Sequence, residues 1–317
     1  MKENRDIDYM KEIHRLKKEK NAIILAHYYQ TGDIQDIADF VGDSLALSQK
    51  AASTDADIIL FAGVKFMAET AKILSPGKKV LLPDLNAGCS LADSCNAEDF
   101  KKFIDENPGR TVVTYVNTNI DVKVLSDIIC TSSNAVQIIE SLPAEEKFIF
   151  GPDRNLGNYI LNKTGRDIKV WNGACHVHEE FSLEAILRLK EEYPEAKLIV
   201  HPECEFPVRM IADFIGSTSA ILNFTGKDDA KTYIVGTEPG IIHQMKKSDP
   251  SKNYIPAPPK DSTCGCSECN FMKLITPWKI YQCLLNEKPE IVIEGDIIER
   301  ARKPIVRMME MSEKLGL

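Results

Sequence analysis

The sequence predicts an α/β protein: three homologous three-layer αβα domains, each with a short parallel sheet, around a pseudo-threefold axis. Three observations carry this. Short apolar runs alternate with helical segments along the chain, as in parallel sheets sandwiched by helices. One strand–turn–helix unit occurs three times, at residues 21–44, 110–132 and 196–218. Within each copy the step is fixed: His27, Tyr115 or His201 closes the strand, and Ser44, Ser132 or Thr218 follows seventeen residues later. Such a period has to be placed before any single motif is read. Gly63, Gly151 and Gly236 extend it, nineteen, nineteen and eighteen residues further on. A linear solenoid is the competing arrangement. Three units of this size form three small domains more naturally, and ligands then sit outside the carboxyl ends of the strands.

The elements follow in order. In the first unit a charged helix over 10–20 leads into a strand over 22–26. A short amphipathic helix and a helix over 45–52 precede a second strand over 57–62. The helix over 65–74 stops before Pro76-Gly77, a strong breaker. A third strand over 79–82 runs into the loop 86–90. The second unit repeats this with helices over 99–106, 121–129, 132–141 and 155–163 and strands over 111–116, 147–150 and 168–171. The third has helices over 183–193, 207–214, 218–223 and 239–247 and strands over 197–200 and 233–235, then a short extended piece at Tyr254-Ile255. The expected domains are 1–95 (with Cys89), 96–178 (with Cys175) and 179–272 (with Cys269). A helical tail, 273–317, packs back on the repeats and carries a short strand at 291–293.

The chain has 317 residues, a formal net charge of −8 and nine cysteines. The acidic balance argues against nucleic acid as the main partner but leaves room for an anionic substrate, because local fields can oppose net charge. The N-terminal segment lacks the apolar core of a signal peptide. No apolar run approaches the roughly 20 residues of a membrane helix. The expectation is a soluble, cytoplasmic protein whose cysteines serve metal binding or catalysis rather than a disulfide framework.

The third strand of each unit ends in a cysteine-bearing loop: Cys89, Cys175, and one of Cys264, Cys266 or Cys269. Three converging thiolates favour an iron–sulfur cluster or zinc. The plainer alternative is buried free cysteine acting as a small hydrophobe. That reading suits Cys130, Cys204, Cys95 and Cys283. Ser44, Ser132 and Thr218 stand where helix N-caps belong. They either cap only or gather three helix N-termini into an anion-binding site. Strand ends contribute His27, Tyr29, Tyr115, Asn117, His201 and Glu203, and His178 follows Cys175 by three residues. Together these can supply general acid–base chemistry. Asp153 and Arg154 suit either anion binding or a structural ion pair.

These residues resemble a known family. LAHYYQ at 25–30, DIADFVGDS at 36–44, GCSLAD at 88–93, YVN at 115–117, CTSSNA at 130–135, GPDRNLG at 151–157, CHVH at 175–178, HPEC at 201–204, residues 216–218 and GTE at 236–238 are similar to the quinolinate synthases. The resemblance covers nearly the whole chain. It implies a [4Fe–4S] cluster held by only three cysteines, with one iron open to substrate as a Lewis acid. It implies condensation of iminoaspartate with dihydroxyacetone phosphate in NAD biosynthesis, releasing phosphate and two waters. An aspartate-oxidising enzyme, in transient contact, would supply the iminoaspartate. The implied metal ligands are Cys89, Cys175 and Cys269, leaving Cys264 and Cys266 for a redox disulfide or no role. The implied catalytic set is His27, Tyr29 and Glu203. Ser44, Tyr115, Asn117, Ser132, His178, His201, Ser217 and Thr218 would bind substrate. Competing readings are another cluster-dependent lyase, such as a hydro-lyase, and a non-catalytic redox sensor.

Overall fold

The apolar runs become the strands of three separate sheets. The computed structural model describes residues 8–261 and 267–317. Its first sheet holds β1 (Ala22–His27), β2 (Phe40–Gly42), β3 (Ile58–Ala62) and β4 (Lys79–Leu81) in the order β2-β1-β3-β4. The second holds β5 (Thr111–Tyr115), β6 (Ile128–Cys130), β7 (Phe148–Gly151) and β8 (Ile168–Val170), ordered β6-β5-β7-β8. The third holds β9 (Lys197–Val200), β10 (Phe214–Ile215), β11 (Thr232–Gly236) and β12 (Asn253–Pro256), ordered β10-β9-β11-β12. Every pairing is parallel. The three sheets therefore share one topology and register, as three αβα domains require. β3 is buried along its whole length, as a strand covered by helices on both faces must be. Each of its large side chains contributes roughly 1.5–3 kcal/mol on burial.

Each sheet has one strand more than the sequence reading gave it. β2, β6 and β10 lie where a helix or a connecting turn was expected. An aspartate starts each of them. The backbone N–H groups of Ile24, Val112 and Leu198 donate to the carboxylates of Asp39, Asp127 and Asp213 at 2.8, 2.8 and 2.7 Å. The N–H of each aspartate returns a bond to the carbonyl of the same residue, at 2.9, 2.9 and 2.8 Å. This two-point clamp pins the edge segment to the central strand. It ends the expected helices early, at Lys123 and Met210.

The tail is helical over Pro277–Asn286 and Gly295–Leu315. The first helix packs on Tyr9–Glu19, and the second on β6 and Lys65–Leu74. The strand expected at 291–293 is a single antiparallel bridge between Glu290 and Leu81. Pro289, which has no N–H to donate, and the exposed Val292 leave little to extend it. No helix among the described residues is long and apolar enough to cross a membrane.

The repeats dock through buried side chains rather than a shared sheet. The Gln35 side-chain amide in the first repeat donates to the carbonyls of Tyr28, Gln30 and, in the third repeat, Gly240, at 2.9, 2.8 and 2.9 Å. Ser133 of the second repeat donates to the Asp43 carboxylate of the first at 2.7 Å. The carboxyl ends of the central strands β1, β5 and β9 then open on one cavity.

Candidate active site

The cavity is lined by all three repeats. Every site residue expected from the sequence lines it except Ser217. The reason is a shift of one position in the helix caps. Asp43 caps the helix Ser44–Ser53, accepting from the Ala46 N–H at 3.0 Å. Ser217 caps Thr218–Lys227, accepting from the Ala220 N–H at 3.3 Å. Asp and Ser are strong caps, so Ser44 and Thr218 become first-turn residues instead. In the second repeat Asn134 holds the cap position of Ala135–Ser141, and its Oδ1 accepts from the Thr131 N–H at 2.7 Å. Ser132 sits on that tight turn. The Ser132 and Thr218 hydroxyls lie 3.1 Å from His201 Nε2 and 3.2 Å from Tyr29 Oη.

A chain of polar contacts crosses the cavity wall. Tyr29 Oη is 2.7 Å from Thr237 Oγ1, which is 3.0 Å from His178 Nε2. His178 Nδ1 lies 3.0 Å from Glu203 Oε2 as a close polar contact without hydrogen-bond alignment, and Glu203 Oε1 accepts from the Tyr115 hydroxyl at 2.6 Å. The His178 and His201 rings stack with centroids 4.8 Å apart. In the first and third repeats the strand-end histidine receives the backbone N–H two residues on: Tyr29 N to His27 Nδ1 at 3.2 Å, and Glu203 N to His201 Nδ1 at 3.3 Å. With Nδ1 accepting, a neutral ring carries its proton on Nε2. Asn117 Oδ1 is buried without a hydrogen-bond partner among the described residues.

Burial sets the protonation states. It lowers His27 to about 4 against opposition from the Asp43 and Glu203 charges, and lowers His201 to about 3. Both rings are neutral at pH 7. Burial, reinforced by the Glu203 charge, pushes Tyr29 and Tyr115 well above the ordinary phenol value. Burial alone would raise Glu203, but the neighbouring His178 and His201 rings and the hydrogen bond from Tyr115 outweigh it and hold Glu203 at about 2. The site thus pairs the buried Glu203 carboxylate with two protonated phenols and neutral imidazole donors.

The sequence pattern described as quinolinate synthetase A protein matches residues 11–310. This chain belongs to that family. It is 58% identical over 305 residues to the quinolinate synthase of Microcystis aeruginosa, covering 96% of this chain and 95% of the relative. It is 57% identical to the quinolinate synthase of Synechocystis over 305 residues, with 96% of each chain covered. The quinolinate synthase of Chloroherpeton thalassium is 53% identical over 307 residues, covering 97% of this chain and 95% of that one.

In this member of the quinolinate synthetase A family, Cys89, Cys175 and Cys269 all line the cavity and form no disulfide among the described residues. Burial pushes the Cys89 thiol up to about 12 and raises Cys175 and Cys269, and the three charges also oppose one another. Ionising three thiols placed like this takes a cationic centre between them, and soft sulfur donors of this kind fit a metal group. Cys175 Sγ, a His178 nitrogen and a Glu203 oxygen lie within 4.8 Å of one another. Cys264 and Cys266 lie outside the described residues. Cys95, Cys130, Cys204 and Cys283 are buried core residues, as expected. Asp153 and Arg154 divide: the Arg154 guanidinium pairs with Glu179 and Asn172, while Asp153 is buried and caps the helix Arg154–Thr164.

Sequence reasoning missed four contributors. Thr237 links Tyr29 to His178. Glu238, fully buried, pairs with Lys273 at 2.7 Å. Lys273 Nζ also donates to the Tyr29 carbonyl at 2.8 Å. Lys123, buried and lowered to about 8 by that burial, donates to the Val116 carbonyl at 2.9 Å and to that of Thr118, fixing the turn that presents Asn117. The GTE stretch was visible as a family match. Lys123 had no signal beyond an ordinary helical lysine.

Proposed function

We propose that this chain is a quinolinate-forming enzyme of NAD biosynthesis that condenses iminoaspartate with dihydroxyacetone phosphate and releases phosphate and two waters. The observation that carries the proposal is one cavity holding three cysteines beside the chain Tyr29–Thr237–His178–Glu203–Tyr115. Cys89, Cys175 and Cys269 would hold a [4Fe–4S] cluster. Such a cluster, when bound, supplies an open iron that acts as a Lewis acid on a substrate oxygen.

The remaining chemistry belongs to the protein. The Glu203 carboxylate favours a proton on His178 Nδ1 and leaves Nε2 to accept the Thr237 hydroxyl proton. Thr237 can then accept from Tyr29, so a proton at the cavity end of Tyr29 has a route to a buried base. Tyr115 commits its single hydroxyl proton to Glu203 Oε1, so its oxygen meets substrate as an acceptor. His27, neutral, presents Nε2–H and takes part in proton movement without a fixed positive charge. Asn117, Ser44, Ser132, Thr218 and His201 orient carboxylate and phosphate oxygens. Ser217 acts one step removed, by capping the helix that starts with Thr218.

The repeat boundaries 1–95, 96–178 and 179–272, with the tail 273–317, belong to this reading, as do a cytoplasmic setting and transient contact with an aspartate-oxidising enzyme. The test is anaerobic purification with iron and sulfide analysis, followed by assay with iminoaspartate and dihydroxyacetone phosphate. Near-stoichiometric cluster and quinolinate formation are expected. A cluster-loaded protein that makes no quinolinate overturns the assignment. A single divalent ion on Cys175, His178 and Glu203 is the rival metal reading, and iron without sulfide would favour it.

A further inference from the structure

The three repeats secure their cysteine loops in different ways. In the first two, a backbone N–H just beyond β3 or β7 reaches the carbonyl two residues before the cysteine: Lys65 N to Ala87 O and Arg154 N to Gly173 O, both 2.7 Å. The second repeat adds a side chain. Asp153, fully buried, uses Oδ1 to cap its helix through the N–H groups of Asn155 and Leu156, at 2.6 and 2.9 Å. Its other oxygen, Oδ2, accepts the N–H of Cys175 itself at 2.9 Å.

Glu238 holds the equivalent position in the third repeat, two residues after Gly236 as Asp153 is two after Gly151. It too is fully buried. Its Oε1 accepts the N–H of Cys269 at 3.4 Å and the Lys273 ammonium at 2.7 Å, while Oε2 accepts the Gly240 N–H at 2.7 Å. In the first repeat Lys65 stands there, with its side chain toward Glu69 at 3.8 Å. The Cys89 loop is joined instead to the Cys175 loop through Ser90 Oγ and His176 Nδ1, 2.7 Å apart.

We propose that Asp153 and Glu238 are positioning residues for the cysteine centre, each anchoring the backbone N–H of its own repeat's cysteine and so fixing where that sulfur points. This rests on the cysteines holding a cluster. The physical argument is that outer partners fix ligand orientation, and their loss costs roughly 10- to 100-fold in metal affinity. Neither acid needs to touch substrate.

The test uses Asp153→Ser, which keeps a capping oxygen for the helix but cannot reach Cys175, together with Glu238→Ala and Lys65→Ala. Anaerobically loaded proteins are followed by visible absorbance during challenge with an iron chelator, and by electron paramagnetic resonance of the reduced centre. Asp153→Ser and Glu238→Ala are expected to lose absorbance at least fivefold faster than wild type and to show altered resonance anisotropy, while Lys65→Ala matches wild type. Far-ultraviolet circular dichroism checks that the fold is kept, and Asp153→Glu supplies a carboxylate variant expected to recover part of the loss. Wild-type chelation rates and spectra in both acid variants overturn the positioning role while leaving the cluster intact. Wild-type protein that holds no iron overturns the cluster reading and this inference with it.

Discussion

Replacing Glu203 by Gln isolates the carboxylate from the shape of the side chain. In the native site one oxygen accepts the Tyr115 hydroxyl at 2.6 Å and the other faces His178 Nδ1 at 3.0 Å. A glutamine can keep one contact as acceptor, but it then turns an NH₂ group toward the other. If its oxygen stays with Tyr115, His178 Nδ1 must accept, and the proton moves to Nε2. Nε2 would then donate to Thr237, and the direction of the chain to Tyr29 reverses. An orienting carboxylate that is exchanged for an amide and leaves the wrong tautomer costs roughly 10⁴ in turnover in a Ser–His–Asp site, or about 5 kcal/mol of barrier. The same logic predicts a loss of that order here. Iron and sulfide content should stay at wild-type levels, because no cysteine is touched. The assay is anaerobic quinolinate formation under saturating substrates, with metal analysis of the same sample. Turnover within tenfold of wild type would refute the role of Glu203 in setting the tautomer.

Three other outcomes follow from the same geometry. Thr237→Val, which removes only the hydroxyl joining Tyr29 to His178, should lower turnover roughly a hundredfold, and Thr237→Ser should restore most of it; equal rates in Val and Ser variants would remove Thr237 from the proton route. Cys89→Ser, Cys175→Ser and Cys269→Ser should each lose the brown chromophore, whereas Cys283→Ser and Cys266→Ser should keep it; loss with Cys266→Ser instead of Cys269→Ser would move the third ligand. Acid should destabilise the fold through the buried histidines. His27 and His201 lie at about 4 and about 3 when folded, below the ordinary 6.5 of the unfolded chain, so the unfolded state takes up protons first as pH falls. The lost stability is about 3 kcal/mol for His27 alone between pH 6.5 and 4. Urea midpoints at pH 7.5, 5.5 and 4.5 should fall accordingly, with a shallower fall in His27→Gln; a midpoint independent of pH would contradict neutral burial of these rings.

The repeat was legible because each central strand is an apolar run that stops on a polar residue, and the helix start follows at a constant step. That register located the cavity, since parallel sheets present their ligands at strand ends. The edge strands were not legible from periodicity, because β10 is two residues long and β2 and β6 are three. Their signal was Asp39, Asp127 and Asp213, each five residues before Ser44, Ser132 or Thr218. The helix caps were misplaced by one residue because Asp43-Ser44 and Ser217-Thr218 each offer two adjacent capping side chains, and spacing alone does not choose between them. Thr237 and Glu238 were hidden for a different reason. Their counterparts, Val64-Lys65 and Pro152-Asp153, differ in chemistry, so comparing repeats concealed them. The family match supplied the substrates, which the repeat could not.

The proton route has a consequence for how the protein fails. Tyr29 comes from the first repeat, Tyr115 and His178 from the second, and Thr237 and Glu203 from the third. No repeat owns two consecutive links, so the route exists only while all three are docked. Opening a single seam, for instance by cutting the Gln35 contacts to Gly240 or the Ser133 contact to Asp43, would silence the enzyme with every sheet still folded. Local opening of this kind costs less than global unfolding. Activity in this architecture is therefore a gauge of quaternary-like fit within one chain, and it should vanish under mild heat or denaturant before the circular dichroism signal of its helices begins to fall.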